Sequence, residues 1–128
     1  MQWSPSLSVG DVRIDDQHQQ LFHLLESLEN TPADQSLAQA QAAISVLQRF
    51  VKEHLRDEEA MLRSFNYKDY GYHCALHHEF EEKLASLVGR LATEDHYIVL
   101  QDLRAFVQSW LVEHISVADL RYKPYILS

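Results

Sequence analysis

The sequence predicts an all-α protein, built as an up-down-up-down antiparallel four-helix bundle with an N-terminal arm and a short C-terminal extension. Apolar residues recur at alternating steps of three and four in four separate stretches, which is helical spacing. The chain has only three Gly and three Pro among its 128 residues, too few for the many turns of an all-β protein. Because the length is typical of one domain, we expect residues 1–128 to form a single domain.

The first two predicted helices occupy the N-terminal half. The shared apolar face of the first begins at Ile14, and the pattern ends near Asn30. In the loop over 31–34, Thr31 is a candidate N-cap and Pro32 suits a first helical turn, so we expect the second helix to begin there. Its face comprises Leu37, Ala40, Ile44, Leu47, Val51, His54, Glu58, Met61 and Phe65.

The pattern lapses around 64–69 and then resumes in two further helices. The third face comprises Tyr70, His73, His77, Phe80, Leu84, Leu87 and Leu91. A second capping sequence at 93–95 precedes the fourth face, which comprises Leu100, Leu103, Val107, Trp110 and His114. Short loops between successive helices favour antiparallel neighbours. Residues 1–13 and 117–128 lie outside the four faces, and their apolar residues predict that both segments pack on the bundle: Trp3, Leu7, Val9, Tyr122, Tyr125 and Ile126.

Charge and composition exclude several functional classes. The net charge of −8 argues against nucleic acid or an anionic membrane surface as the main partner, because both select for clustered cations. The sequence has no apolar stretch long enough to span a membrane and no signal peptide at its start. Its single cysteine, Cys74, cannot form an internal disulfide. We therefore expect a cytoplasmic protein.

Polar residues occupy positions on the predicted inner faces where a core would be apolar. They are His18, His54, Glu58, His73, His77 and His114. A single histidine on an apolar face is most often a core residue with a hydrogen-bond partner. Burying six such groups without a compensating cation would cost several kcal/mol per group. Together with the total of eight histidines, the set predicts a metal site inside the bundle.

The spacing of these residues supports the same prediction. His54 and Glu58 are four residues apart, as are His73 and His77, so each pair projects from one helix face with side chains about 5 to 6 Å apart. The other histidines, His23, His78 and His96, fall beside the inner faces, and we expect them at the surface or rim. Cys74 is expected to be a packed or partly exposed thiol rather than a ligand. Neither a catalytic triad spacing nor a glycine-rich phosphate loop is present.

These motifs resemble the hemerythrin family, specifically its single-domain bacteriohemerythrins, from about Trp3 to Tyr122. The segments that carry the resemblance are SVG at 8–10, IDDQH at 14–18, LF at 21–22, HLRDEE at 54–59 with Met61, HCALH at 73–77 with Phe80, and WLVEHI at 110–115 with Asp119. One departure is Lys68, where many members have proline; it concerns only the rigidity of a loop.

The resemblance implies a centre of two non-haem irons (Fe²⁺/Fe³⁺), bridged by an oxo or hydroxo group, that binds O₂ reversibly for transport, storage or delivery. The implied metal ligands are His18, His54, Glu58, His73, His77, His114 and Asp119. If the last three histidines hold one iron, two bridging carboxylates and the bridging oxygen make that iron six-coordinate. The other iron, with two histidines, reaches five, which leaves one position for O₂.

Two further expectations concern the position of Asp119 and the pocket for O₂. Asp119 lies five residues after His114, about 140° around an ideal helix, so the helix must end or contain a π-type turn for Asp119 to face inward. We also expect an apolar O₂ pocket beside His18 and His54. Its candidate walls, for which ordinary core packing is an equally good explanation, are Phe22, Phe50, Leu111 and Ile115.

Two other functions remain open beside reversible O₂ binding. Carboxylate-rich di-iron sites in bundles often activate O₂, so weak oxidase or peroxidase activity is one alternative, and steady O₂ consumption with a reductant would indicate it. The other is sensing of O₂ or redox state through a separate protein partner, which a partner co-purifying in only one ligation state would indicate. The implied set of five histidines and two carboxylates resembles that of the reversible binder, so we do not expect an enzyme.

Overall fold

The computed structural model describes residues 2–30, 32, 34 and 36–127, and in these ranges it contains helices and no β-strand. A short 3₁₀ turn at Pro5–Leu7 precedes the first long helix. The helices are α1 (Val12–Glu29), α2 (Leu37–Ser64), α3 (Tyr70–Gly89), α4 (His96–Glu113), a π-helix (His114–Asp119) and α5 (Lys123–Leu127). None of the described helices is both long and apolar enough to cross a membrane.

The four long helices form the predicted antiparallel bundle. Helix α1 packs against α2 and α4, and α3 packs against the same two neighbours, so the helices surround a shared core. Buried leucines from all four helices dominate this core, among them Leu25, Leu47, Leu84 and Leu103. The all-α, four-helix prediction is confirmed.

Helix α2 begins later than the sequence pattern indicated. Its N-cap is Ser36, whose hydroxyl accepts from the backbone N–H of Gln39 at 3.1 Å, while the Gln39 side chain accepts from the backbone N–H of Ser36 at 3.0 Å. This reciprocal capping box satisfies two otherwise unpaired donors and fixes the start of the helix at Leu37. The prediction that Pro32 lies in the first turn is therefore wrong. Thr31, the predicted cap, lies outside the described residues.

The N-terminal arm and the C-terminal extension both pack, as predicted. A second, smaller core joins Val9 of the arm to Ile14, Leu62, Tyr67 and Tyr122. Three more of the predicted residues, Trp3, Leu7 and Ile126, are buried or partly buried, whereas Tyr125 is 38% exposed and contacts the ring of Tyr67. The smaller core lies next to the polar cluster described below, because Tyr122 contacts both.

The end of α4 departs from α geometry at the predicted position. Residues His114–Asp119 form a π-helix, in which the backbone N–H of Leu120 donates to the carbonyl of Ile115, five residues earlier, at 3.1 Å. The wider turn absorbs the extra residue between His114 and Asp119. Both side chains consequently point into the bundle and are buried.

Candidate metal centre

The seven predicted ligand residues converge in the interior of the bundle. Apart from tyrosines, they are the only buried polar or charged residues in the described part of the chain, and none is more than 6% exposed. Helix α1 provides one of them, α2 two, α3 two and the π-helix two. They are His18, His54, Glu58, His73, His77, His114 and Asp119.

The Nε2 atoms of His73, His77 and His114 lie close together, and we name these residues the three-histidine group. The Nε2 atom of His114 is 3.1 Å from Nε2 of His77 and 3.2 Å from Nε2 of His73. Oε1 of Glu58 is 2.7 Å from Nε2 of His73 and 3.0 Å from Nε2 of His77. Oδ1 of Asp119 is 2.9 Å from Nε2 of His114 and 3.1 Å from that of His73. Together these atoms surround a space suited to one cation.

The other two histidines, His18 and His54, form a second group, the two-histidine group. Their rings lie 4.6 Å apart, edge to face. Their Nε2 atoms are 3.8 and 3.9 Å from Oε2 of Glu58. Oδ2 of Asp119 is 3.4 Å from Nε2 of His18. The ligand atoms of His18, His54 and Glu58 lie within 4.8 Å of one another, as a shared metal ion would require.

Both carboxylates are shared between the two groups. Glu58 directs Oε1 towards the three-histidine group and Oε2 towards the two-histidine group. Asp119 does the same with Oδ1 and Oδ2. A carboxylate with one oxygen on each side can bridge two cations, so the arrangement fits a pair of metal ions better than a single one.

Hydrogen bonds behind the cluster orient two of the imidazoles. The Nδ1–H of His54 donates to Oε1 of Gln17 at 2.7 Å, and the Nδ1–H of His77 donates to Oε2 of Glu59 at 2.7 Å. With the proton held on Nδ1, each Nε2 presents its lone pair to the centre. Sequence reasoning assigned no role to Gln17 or Glu59, although each directly adjoins a predicted ligand in the chain.

Charge in the cluster is dominated by the two buried carboxylates. Although burial opposes ionisation, the side chains of His114, His73 and His77 around Glu58 hold its pKa well below its usual range. Burial also opposes protonation of the imidazoles, but the neighbouring carboxylates raise the pKa of His73 and of His114 to about 9. Burial lowers the pKa of His54 to about 4. The buried carboxylates thus favour positive charge beside them, which metal cations bound by the imidazoles would supply.

Unpaired polar atoms provide a direct test of whether this site suits metal ions. Both ring nitrogens of His18 are buried and lack a hydrogen-bond partner among the described residues, and the buried carboxylate oxygens of Asp119 contact histidine nitrogens at 2.9 to 3.4 Å without forming an aligned hydrogen bond. An unsatisfied buried polar group costs about 1 to 3 kcal/mol. Imidazole nitrogen and carboxylate oxygen are ligands that suit iron, so the donor set fits a metal that would satisfy Nε2 of His18 and the oxygens of Asp119.

Two aromatic residues adjoin the cluster. The hydroxyl of Tyr122 donates to Oε2 of Glu58 at 3.2 Å. The indole of Trp110 stacks on the ring of His114, with centroids 4.2 Å apart and planes 13° apart. Sequence reasoning expected Trp110 in the core and Tyr122 in a packed tail, and the contact of each with the cluster was not predicted.

The candidate O₂-pocket residues are all part of the main core. Leu111, Ile115 and Phe22 are buried, and Phe50 is partly buried against them. A cleft of about 320 Å³ between α3 on one side and α4 with the π-helix on the other has His114 in its lining, and none of these four residues lines it. Their apolar surroundings therefore agree with the expectation, while the expected pocket itself stays a prediction.

The polar residues predicted to lie outside the cluster do so. His23 and His78 are exposed, and His78 pairs with Glu82 at 3.1 Å. His96 is partly exposed at the start of α4. The Cys74 thiol is partly buried, and burial raises its pKa. A thiol of this kind is less reactive than an exposed one.

Comparisons with known proteins agree with this geometry. Residues 9–126 match the family model described as "Hemerythrin HHE cation binding domain". Myohemerythrin of Riftia pachyptila is 31% identical over 121 residues, covering 94% of this chain and 89% of that protein. Bacteriohemerythrin of Methylococcus capsulatus is 31% identical over 113 residues, covering 86% and 83%. The crystal structure of a wild-type hemerythrin superposes with a TM-score of 0.89 at 27% identity, covering 100% and 98% of the two chains.

Proposed function

The chain belongs to the hemerythrin family, and on this premise we propose that it binds O₂ reversibly at a centre of two non-haem irons, as an oxygen carrier, storage or delivery protein. The observation that supports this most directly is the division of two buried carboxylates between two histidine groups. Glu58 and Asp119 each direct one oxygen to either group. A single-metal site would not need this division.

In this proposal the three-histidine group would hold one iron and the two-histidine group the other, and Glu58 and Asp119 would each provide a ligand oxygen to both. Two non-haem irons with an oxo or hydroxo group between them would supply the electrons for O₂ binding by alternating between Fe²⁺ and Fe³⁺. The group with fewer protein ligands is the one with room for O₂. His18 and His54 therefore mark the O₂ side of the centre.

The protein contributes orientation and the exclusion of water. Gln17 and Glu59 hold His54 and His77 with Nε2 facing the centre. Leu111 and Ile115, which flank His114 in the chain, are buried, and in this proposal they would keep polar groups and water away from the O₂ side. Exclusion of water slows proton delivery, and this favours release of O₂ over its irreversible reduction.

Iron content and an optical spectrum test the proposal. Protein purified with iron should contain close to two irons per chain, one for each group, and its aerobic spectrum should change reversibly when O₂ is removed and restored. His77→Ala should lose iron, whereas His78→Ala, an exposed neighbour on the same helix, should not. A content near one, stable zinc in place of iron, or a spectrum that O₂ removal does not reverse would contradict the proposal.

A further inference from the structure

The two groups differ in what lies behind one of their histidines. His54 and His77 both donate from Nδ1 at 2.7 Å. The acceptor behind His54 is the neutral amide of Gln17, whereas the acceptor behind His77 is the carboxylate of Glu59. The two hydrogen bonds have the same length, and they differ in the charge of the acceptor.

Gln17 is itself held in place by a carboxylate further from the centre. Its Nε2 donates to Oδ2 of Asp57 at 2.8 Å, and the same oxygen accepts from Nη2 of Arg13 at 2.9 Å. Since Asp57 can only accept here, the amide of Gln17 must direct Nε2 to Asp57 and Oε1 to His54. Gln17, held by the partly exposed Asp57, therefore orients the ring of His54. It also keeps the negative charge of Asp57 one side chain further from that ring.

The three-histidine group has no such spacer behind His77. Glu59 contacts His77 directly, and its side chain is 27% exposed. A carboxylate that accepts from a metal-bound imidazole makes the imidazole a more basic ligand, and a neutral amide does so less. In the two-histidine group, the Nδ1 atom of His18 has no partner among the described residues, and Nδ1 of His54 donates to an amide. Neither Nδ1 atom of that group therefore donates to a carboxylate.

We propose that Gln17 is a positioning residue that keeps the charge of Asp57 away from His54, and that its contrast with Glu59 behind His77 makes the two-histidine metal position the less electron-rich of the two. The inference rests on the proposed function, because it concerns the irons of that centre. A less electron-rich position holds Fe³⁺ less strongly. The iron on the O₂ side then returns more readily to Fe²⁺, which favours release of O₂ and limits permanent oxidation.

Moving a charge without changing the net charge tests this inference. In the double variant Gln17→Glu with Asp57→Asn, the amide and the carboxylate exchange places, and the amide introduced at position 57 can still donate to the new carboxylate. The iron-loaded variant should keep close to two irons per chain, show a more negative midpoint potential and autoxidise faster. Glu59→Gln should shift the midpoint potential in the positive direction. Potentials are measured by spectroelectrochemical titration, and iron content is measured in parallel.

The matched control is Asp16→Asn, which neutralises an exposed carboxylate on the same helix and should leave the potential unchanged. A double variant with two irons and an unchanged or more positive potential would overturn the inference, as would a negative shift in Glu59→Gln. Loss of iron from the double variant, with wild-type iron content in Asp16→Asn, would also overturn it, since exchange of the two groups should preserve the orientation of His54.

A second measurement does not depend on O₂ binding. Titration of the metal-free chain with Co²⁺ should show that Gln17→Ala weakens Co²⁺ binding by about 10 to 100-fold, as loss of an orienting partner typically does. Asp16→Ala should bind as wild type does. If wild-type protein binds Co²⁺ with this pattern but does not bind O₂ reversibly, the proposed function fails while the positioning role of Gln17 stands. Equal Co²⁺ affinities of Gln17→Ala and wild type would refute that role.

Discussion

The hydroxyl of Tyr122 donates a 3.2 Å hydrogen bond to Oε2 of Glu58, although 64 residues separate them in the chain. Both side chains are fully buried. Burial and the charge of Glu58 raise the pKa of Tyr122 well above its usual value, so the phenol remains a donor. The bond holds Oε2 in place beside the two-histidine group and ties the C-terminal extension to the centre.

Tyr122→Phe should preserve the fold but weaken this link. Hydrogen bonds to charged groups contribute about 1.5 to 3 kcal/mol, and we expect the free energy of unfolding of the metal-free protein to fall by about that amount. Chemical denaturation measures it. Tyr72→Phe, which removes a hydroxyl from a residue that is 59% exposed, should change the free energy little. Equal effects of the two substitutions would show that the bond to Glu58 adds no stability.

Leu111→Ala should speed autoxidation without removing iron. Leu111 is 2% exposed and lies close to His114 on the helix, so its truncation opens space near the centre through which water can bring protons. A cost of about 2 to 5 kcal/mol in stability is expected for such a truncation. Leu103→Ala, on the same helix but further from His114, creates a similar cavity and is the control. Similar autoxidation rates in wild type and Leu111→Ala would show that this wall does not limit proton access.

Removal of iron by a chelator should lower the melting temperature, and added Fe²⁺ under anaerobic conditions should restore it. Without metal, the buried Nε2 of His18 lacks a hydrogen-bond partner among the described residues, and the buried oxygens of Asp119 have only unaligned contacts with histidine nitrogens. A ligand that binds only the folded state, at a free concentration 100 times its Kd, raises the free energy of unfolding by about 2.7 kcal/mol. Calorimetry with and without iron measures the change. Identical melting curves would indicate that the cluster does not bind iron in the folded protein.

Much of the centre could be predicted from the sequence because its residues break an otherwise apolar pattern. A histidine such as His54 in register with Val51 and Leu47 is conspicuous, and burial makes its polarity costly without a metal. The π-helix was predictable for a related reason. The five-residue step from His114 to Asp119 does not fit one face of an α-helix, so the backbone had to change.

Other features depend on information that the local pattern does not contain. Gln17 and Glu59 lie on the polar flanks of their helices, and only the packing of neighbouring helices brings them to His54 and His77. Tyr122 is far from Glu58 in sequence. Two candidate N-caps precede α2 in the sequence, Thr31 and Ser36, and the helix begins after Ser36, which forms a reciprocal capping box with Gln39.

Ser36→Ala should therefore lower stability by about 0.5 to 2 kcal/mol, the usual cost of losing an N-cap. Thermal or chemical unfolding measures the change. Ser36→Gly should cost less, because glycine is also accepted at this position. Iron content should be unaffected, since the cap lies several turns from His54 on the same helix. A Ser36→Ala variant as stable as wild type would show that another residue determines where α2 begins.

The C-terminal extension should respond to the state of the centre. Asp119 ends the π-helix, and Tyr122 contacts Glu58, so residues 114–127 connect the cluster to the exposed residues of α5. Iron removal should increase amide hydrogen exchange over 114–127, while exchange near Leu103, in the main core, should change little. Tyr122→Phe should reduce the difference between iron-loaded and metal-free protein at 123–127, because one of the two connections is lost. If iron-loaded and metal-free wild-type protein exchange equally over 114–127, the extension does not report the state of the centre, and a signalling role through this segment is excluded.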